Sequence, residues 1–238
     1  LVDGIWTVGP FMIKHAWLLI IAIIIGGLYL SKQLFHHELT GQEELKETYW
    51  NGIFCFFITF QFSTLLVYPM ITVQDPIAVL AMPSGSKEWM IAWLFIFIYF
   101  LWMSWKKNLN RDLLFLYFFS SYMVIETVYL SFHPFVDYRS EIDIPFYIGH
   151  PVSLYQMILN VTILVIFLWL KRKKVVSKLM LSRLLVMYGG SHGLLSMMVT
   201  TRMMGVAVPF WFYFLIAFIG LFATSSMLKN NQSQELIK

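Results

Sequence analysis

A few side chains in this sequence can do acid–base or headgroup-binding chemistry from within long apolar runs. Glu126 is the only carboxylate inside the run Leu113–Phe132, with Tyr122 at i−4 and Tyr129 at i+3 on its helical face. A carboxylate in hydrocarbon must find a cation, several hydrogen-bond donors, or a proton of its own. Two readings stay open for it: a functional base, or a structural partner of Lys14, Arg202 or His192 that holds helices in register. Tyr188, Ser191, His192, Ser196 and Thr200 recur at helical spacing as a polar stripe, and Gly189, Gly190 and Gly193 leave room for a neighbouring helix or a lipid. Ser191 and His192 are consecutive and point about 100° apart on a helix, so they do not form a nucleophile–base dyad with each other.

The segment Gly149-His150-Pro151-Val152-Ser153-Leu154-Tyr155-Gln156 runs straight into the apolar stretch Met157–Leu170. Pro151 suits a first helical turn, which places His150 just outside the helix and Tyr155 and Gln156 about one turn in. The result is a donor-rich mouth suited to a phosphate or glycerol headgroup. The alternative is an interfacial anchor, since Tyr and His rest at that depth for amphipathic reasons alone. No His-x-x-x-His or His-Glu-x-x-His spacing links His15, His133, His150 and His192, so no metal site or cofactor is expected. The single cysteine, Cys55, excludes a dithiol relay and reads as a packing residue.

The elements that must position these groups are membrane helices. The chain is 59% hydrophobic and 13% charged, with a mean hydropathy of +0.70, against about 25% charged in a soluble domain. We read an all-α, polytopic membrane protein of a single domain with seven spans, near residues 11–30, 52–71, 89–105, 113–132, 152–170, 184–200 and 206–228. The first, third and fifth connections and the C-terminal tail hold two, three, six and two Lys or Arg, against Lys87, Arg139 and Arg202 on the opposite side. That asymmetry puts the N-terminus outside and the C-terminus in the cytoplasm. It also accounts for the net charge of +4 without nucleic acid. The first span has no basic flank before it and no small-residue cleavage site after it, and reads as a retained helix rather than a signal peptide. The connection 31–50, with Glu38, Glu43, Glu44 and Glu47, reads as a solvated surface helix. The loops 73–88 and 133–150 are rich in turn residues and would surround a site open to the outer leaflet.

Gly149-His150-Pro151 with Leu154-Tyr155-Gln156 resembles the His-Pro-x-x-Leu-Tyr-Glu motif of bacterial prolipoprotein diacylglyceryl transferases. Val8-Gly9-Pro10-Phe11, Asp75-Pro76 and Tyr188-Gly189 are similar to further short motifs of that family, in the same order along the chain. The resemblance implies seven spans in a bacterial cytoplasmic membrane. It also implies transfer of diacylglycerol from a phosphatidylglycerol-like phospholipid to the cysteine thiol of a prolipoprotein signal peptide. On that basis His150, Tyr155 and Gln156 would contact the lipid headgroup, with Lys14 and Arg202 as cations. His192, Tyr188 and Glu126 would supply proton transfer and orientation.

Several positions depart from the family pattern. Ser84-Gly85-Ser86-Lys87 stands where the family has His-Gly-Gly, and Glu126 falls near a family arginine. His192 and Ser196 replace an arginine and a glutamate, and Gln156 replaces the motif glutamate. An acid in place of a guanidinium opposes a bound phosphate. Two other functions compete with transfer: a lipid- or lipoprotein-binding relative without catalysis, and a small proton-coupled transporter built on Glu126 and His192.

Overall fold

The computed structural model of the chain describes residues 5–8, 11–75, 79, 82, 84–135, 151–173 and 177–235. Helices α1 (His15–Leu34), α3 (Glu43–Phe62), α6 (Ser86–Lys106), α7 (Arg111–Phe132), α8 (Val152–Arg172), α9 (Ser177–Met198) and α10 (Phe210–Glu235) form its body. Short helices α2 (His36–Leu39), α4 (Thr64–Val67) and α5 (Pro69–Gln74) join them. Two antiparallel hairpins complete the described residues: β1 (Ile5–Val8) with β2 (Phe11–Lys14), and β3 (Arg202–Met203) with β4 (Val206–Ala207).

The described residues are mostly helical, as expected, and the two short hairpins shift the starts of two expected spans. The expected first span starts as strand β2 and turns helical only at His15, and the expected seventh starts as β4, with its helix delayed to Phe210. The expected second span begins earlier, at Glu43, and is interrupted at Ser63. There Ser63 Oγ donates to the Phe60 carbonyl and Thr64 Oγ1 to the Gln61 carbonyl, both at 3.0 Å. Hydroxyls that bond back onto their own helix compete with its ladder and bend it. Pro69 then opens α5 at its first position.

Four helical stretches are long and apolar enough to cross a membrane: Glu43–Val67, Ser86–Lys106, Arg111–Phe132 and Val152–Arg172. Ile20–Leu34 and Phe210–Ala223 are shorter apolar helical segments. The expected sixth span forms α9, a continuous helix of 22 residues that is not among them; Arg183 and the Tyr188–His192 stripe lower its apolarity.

Helix α7 is the centre: most of its length is buried, whereas α3, α6 and α8 expose most of theirs. Helix α1 packs on α7, α3 on α6, α8 on α7, and α9 on α10. The contacts Gly52–Phe100 and Ser63–Glu88, Trp93–Tyr122 and Phe100–Phe115, Asn160–Glu126 and Ser153–Phe135, and Gly189–Tyr213 and Ser182–Gly220 show that the pairs α3–α6, α6–α7, α7–α8 and α9–α10 are antiparallel. A Cβ on Gly189 would lie 2.4 Å from the Tyr213 carbonyl oxygen, so glycine is required where the backbones of α9 and α10 meet.

The connection 31–50 is more than a wetted face. It buries Phe35, Leu39 and Leu45 in the core. Lys171, at the end of α8, donates to the Leu34 carbonyl, pairs with Glu38 at 3.1 Å and lies 4.5 Å over the Phe35 ring. Glu47 likewise meets Lys107 at 3.4 Å. These contacts bring the connections after α1, α6 and α8 to one end of the bundle.

Candidate functional site

Helices α7, α8 and α9 meet on Glu126, which has no exposed surface. Its Oε1 accepts from Tyr122 Oη at 2.7 Å, and its Oε2 accepts from Asn160 Nδ2 and Tyr188 Oη, each at 3.0 Å. The spacing explains the assembly: Tyr122 precedes Glu126 by one turn on α7, and the other two donors come from helices packed on that face. Three neutral donors and no cation therefore surround the carboxylate among the described residues. That shell satisfies a buried acceptor without an ion pair.

His192 stacks on Tyr188, with ring centroids 4.3 Å apart, and on Tyr213 at 5.7 Å. It does not touch Glu126 directly. Its Nε2 is buried and has no hydrogen-bond partner among the described residues, and the same holds for Asn160 Oδ1. Ser191 Oγ donates to the Met187 carbonyl at 2.7 Å and lies 3.5 Å from His192 Nδ1, so that hydroxyl is spent on its own helix.

Gln156, one turn before Asn160 on α8, uses its amide as a strand would. Its Nε2 donates to the Arg202 carbonyl at 3.0 Å, and its Oε1 accepts from the Arg202 backbone N–H at 3.3 Å. This anchors the β3–β4 hairpin inside the bundle, where Thr201 and Met203 are fully buried. Irregular backbone at that depth is tolerated where protein satisfies it. The turn has positive φ at Met204 (47°) and Gly205 (86°), the requirement of a tight two-residue hairpin. The Arg202 side chain is exposed, with its guanidinium 5.0 Å over the Phe135 ring.

An apolar cleft lies on the other side of Tyr122. It is narrow, about 50 Å³ in volume, and is lined by Leu28 of α1, Phe56 of α3, Trp89 and Trp93 of α6, and Phe118 and Tyr122 of α7. Because α1 packs on α7 and α3 on α6, the two helices stand apart and the cleft fills the gap. Met204, at the hairpin tip, reaches its wall. Phe57 lines it as well and is 43% exposed, so the cleft opens onto the apolar flank of the bundle. Tyr122 belongs to both sites: its ring lines the cleft and its hydroxyl binds Glu126.

The sequence-derived candidates divide accordingly. Glu126 and Tyr188 come together directly, with His192 stacked behind Tyr188. Gln156 is buried on the hairpin rather than presented to a headgroup, and Arg202 supplies backbone there while its side chain faces Phe135. On the structural reading of Glu126, neither Arg202 nor His192 is its partner; Tyr122, Asn160 and Tyr188 are. Tyr155 lies half-buried in the first turn of α8. Tyr129 does not bind Glu126; it stacks on His133 at 4.4 Å. The Lys14 side chain and His150 lie outside the described residues. Asn160 and Tyr213 were missed. Asn160 was legible as the second amide, four residues after Gln156, on one face of an otherwise apolar helix. A second buried carboxylate was also missed: Glu88, in the first turn of α6, whose Oε2 accepts from the Gly85 N–H at 2.9 Å.

The sequence matches no known protein family and no curated protein. The likeness to prolipoprotein diacylglyceryl transferases rests on the short motifs alone.

Proposed function

We propose that this protein is a lipid-binding membrane protein on a scaffold of the prolipoprotein diacylglyceryl transferase type, and that it does not catalyse the transfer. In this reading it crosses a bacterial cytoplasmic membrane seven times, with the N-terminus outside. The antiparallel pairs α3–α6, α6–α7, α7–α8 and α9–α10 support that topology. So does the gathering of Glu38 with Lys171 and of Glu47 with Lys107 at the lysine-rich end.

The observation that carries the functional reading is the chemistry around Glu126. A site that releases glycerol phosphate from a phospholipid needs cations where the charge develops. Here the converging groups are a carboxylate, two phenols and an amide, and the nearby arginine faces an aromatic ring. The cleft beside Tyr122 remains suited to lipid, since its lining is apolar and aromatic and it opens toward the bilayer.

The test is lipid retention. Protein purified in mild detergent, delipidated and reconstituted with radiolabelled bilayer lipid should retain about one lipid per chain. Leu28→Trp, which fills the cleft, should abolish retention while leaving the helical circular dichroism unchanged. Equal retention by Leu28→Trp would overturn the assignment of the cleft. Restoration of growth in cells depleted of their own diacylglyceryl transferase would restore the catalytic reading.

A further inference from the structure

Resting on the membrane-spanning reading above, we propose that two lysine–tryptophan pairs on the outer flank of the bundle are matched sites for an anionic phospholipid. Lys106 with Trp102 forms the site at the end of α6, and Lys173 with Trp169 the site at the end of α8.

Both pairs share one construction. The tryptophan stands four residues before the lysine, so the two side chains lie on one helical face. Lys106 Nζ is 5.1 Å from the Trp102 ring centroid, and Lys173 Nζ is 3.8 Å from that of Trp169. The lysines stand where the membrane-crossing stretches Ser86–Lys106 and Val152–Arg172 end. Trp102 and Trp169 are 52% and 53% exposed, and both lysines are exposed, so each pair faces away from the core. Tryptophan at the end of a span marks the boundary between hydrocarbon and headgroups. The same four-residue step continues down each helix through exposed aliphatic side chains, Ile98 and Leu94 on α6 and Val165 and Val161 on α8. Each site is therefore a cation at headgroup level above an apolar track on which an acyl chain can lie.

The neighbouring lysines are used differently. Lys107 meets Glu47 at 3.4 Å and Lys171 meets Glu38 at 3.1 Å, so their charges are neutralised within the protein. Lys106 and Lys173 form no ion pair among the described residues. An ammonium resting on an indole face keeps its full charge while its stem covers apolar surface. A phosphate can approach it from the side away from the ring. A lipid with net negative charge is favoured, because the cationic headgroup of a zwitterionic lipid competes with the lysine for that phosphate. The competing reading is that the lysines only complement the helix C-termini and the tryptophans anchor to any headgroup.

Headgroup selectivity separates the two readings. Full-length protein in detergent micelles is titrated with dioleoyl phosphatidylglycerol or dioleoyl phosphatidylcholine, and bound lipids are counted by native mass spectrometry. Two phosphatidylglycerols should bind about fivefold more tightly than phosphatidylcholine. Lys106→Gln and Lys173→Gln should each remove one of them, and the double variant should bind both lipids equally. Lys107→Gln makes the same change in net charge and should leave both sites intact. Equal binding of the two lipids by the unaltered protein would overturn the proposal, and so would an equal loss in Lys107→Gln and Lys106→Gln. Competition by soluble glycerol 3-phosphate would overturn the assignment to a lipid. Release of the native protein from membranes by alkaline carbonate would overturn the membrane-spanning reading and the two sites with it.

Discussion

Asn160 Nδ2 donates to Glu126 Oε2 at 3.0 Å across the α7–α8 interface, and this single bond ties the most polar position of the central helix to the amide face of its neighbour. Tyr188 reaches the same oxygen from α9. Three helices are thus registered on one carboxylate, in an environment where the alternative for each donor is hydrocarbon.

Glu126→Leu should therefore destabilise the bundle by about 1–3 kcal/mol, because it leaves three buried donors unpaired. A double-mutant cycle with Asn160→Leu should give a coupling of about 0.6–1.7 kcal/mol, the range of hydrogen bonds between membrane helices. Unfolding by sodium dodecyl sulphate in mixed micelles measures both values. A coupling of zero would mean that the bond contributes nothing to helix registration.

Gly205 occupies a position that almost no other residue fits. Its φ is +86°, and a Cβ there would lie 2.5 Å from Tyr129 Oη. Gly205→Ala should cost about 1–3 kcal/mol. Adding Tyr129→Phe removes the colliding hydroxyl and should recover part of that loss, with the backbone strain remaining. Thermal denaturation of the two variants separates the contributions; full recovery would show that the turn tolerates alanine.

Gln156 serves the hairpin through both ends of its amide. Gln156→Glu, which restores the acid of the transferase motif, removes the donor to the Arg202 carbonyl and should destabilise the hairpin by about 1–2 kcal/mol. Amide hydrogen exchange over residues 201–208 should accelerate in this variant while exchange in α7 is unchanged. The substitution should not create transferase activity.

The Lys171 clamp offers a test of both packing and topology. Glu38 is 36% exposed, so the ion pair itself should couple by less than about 1 kcal/mol. The larger effect of Lys171→Met should be proteolytic nicking within 35–42, since the Leu34 carbonyl loses its donor. In a Cys55→Ala background, single cysteines at Thr40 and Asn108 should react with an impermeant maleimide only after the cells are opened. One at Asp137 should react in intact cells. The reverse pattern would invert the orientation.

Much of the helical framework was legible in the sequence because long apolar runs leave the backbone no alternative to helix in a membrane. Leu113–Phe132 and Val152–Leu170 correspond closely to α7 and α8. The failures came where local chemistry departs from hydropathy. Phe11–Lys14 is apolar enough to join a span yet pairs as a strand, and Val206–Ala207 pairs with Arg202–Met203 behind Gly205. Hydropathy alone also reads the acidic 31–50 stretch as wetted and misses Phe35 and Leu39 buried beneath it.

Within the candidate site, helical spacing identified Tyr122, Glu126, Tyr188 and His192, but it could not show which partners Glu126 would choose. A cation, several donors or a proton all remain open from the sequence. The structure supplies Tyr122 from one turn earlier on α7, Asn160 from α8 and Tyr188 from α9, while the Arg202 backbone is bound by Gln156 and its guanidinium lies over Phe135.

The most direct test of the account is a transfer assay. Purified protein in liposomes containing radiolabelled phosphatidylglycerol is incubated with a lipobox peptide, alongside an authentic diacylglyceryl transferase as positive control. The account predicts bound lipid on the protein and no radiolabelled diacylglycerol on the peptide cysteine. A thioether-linked diacylglyceryl peptide formed by this chain, and lost in Glu126→Gln, would contradict it.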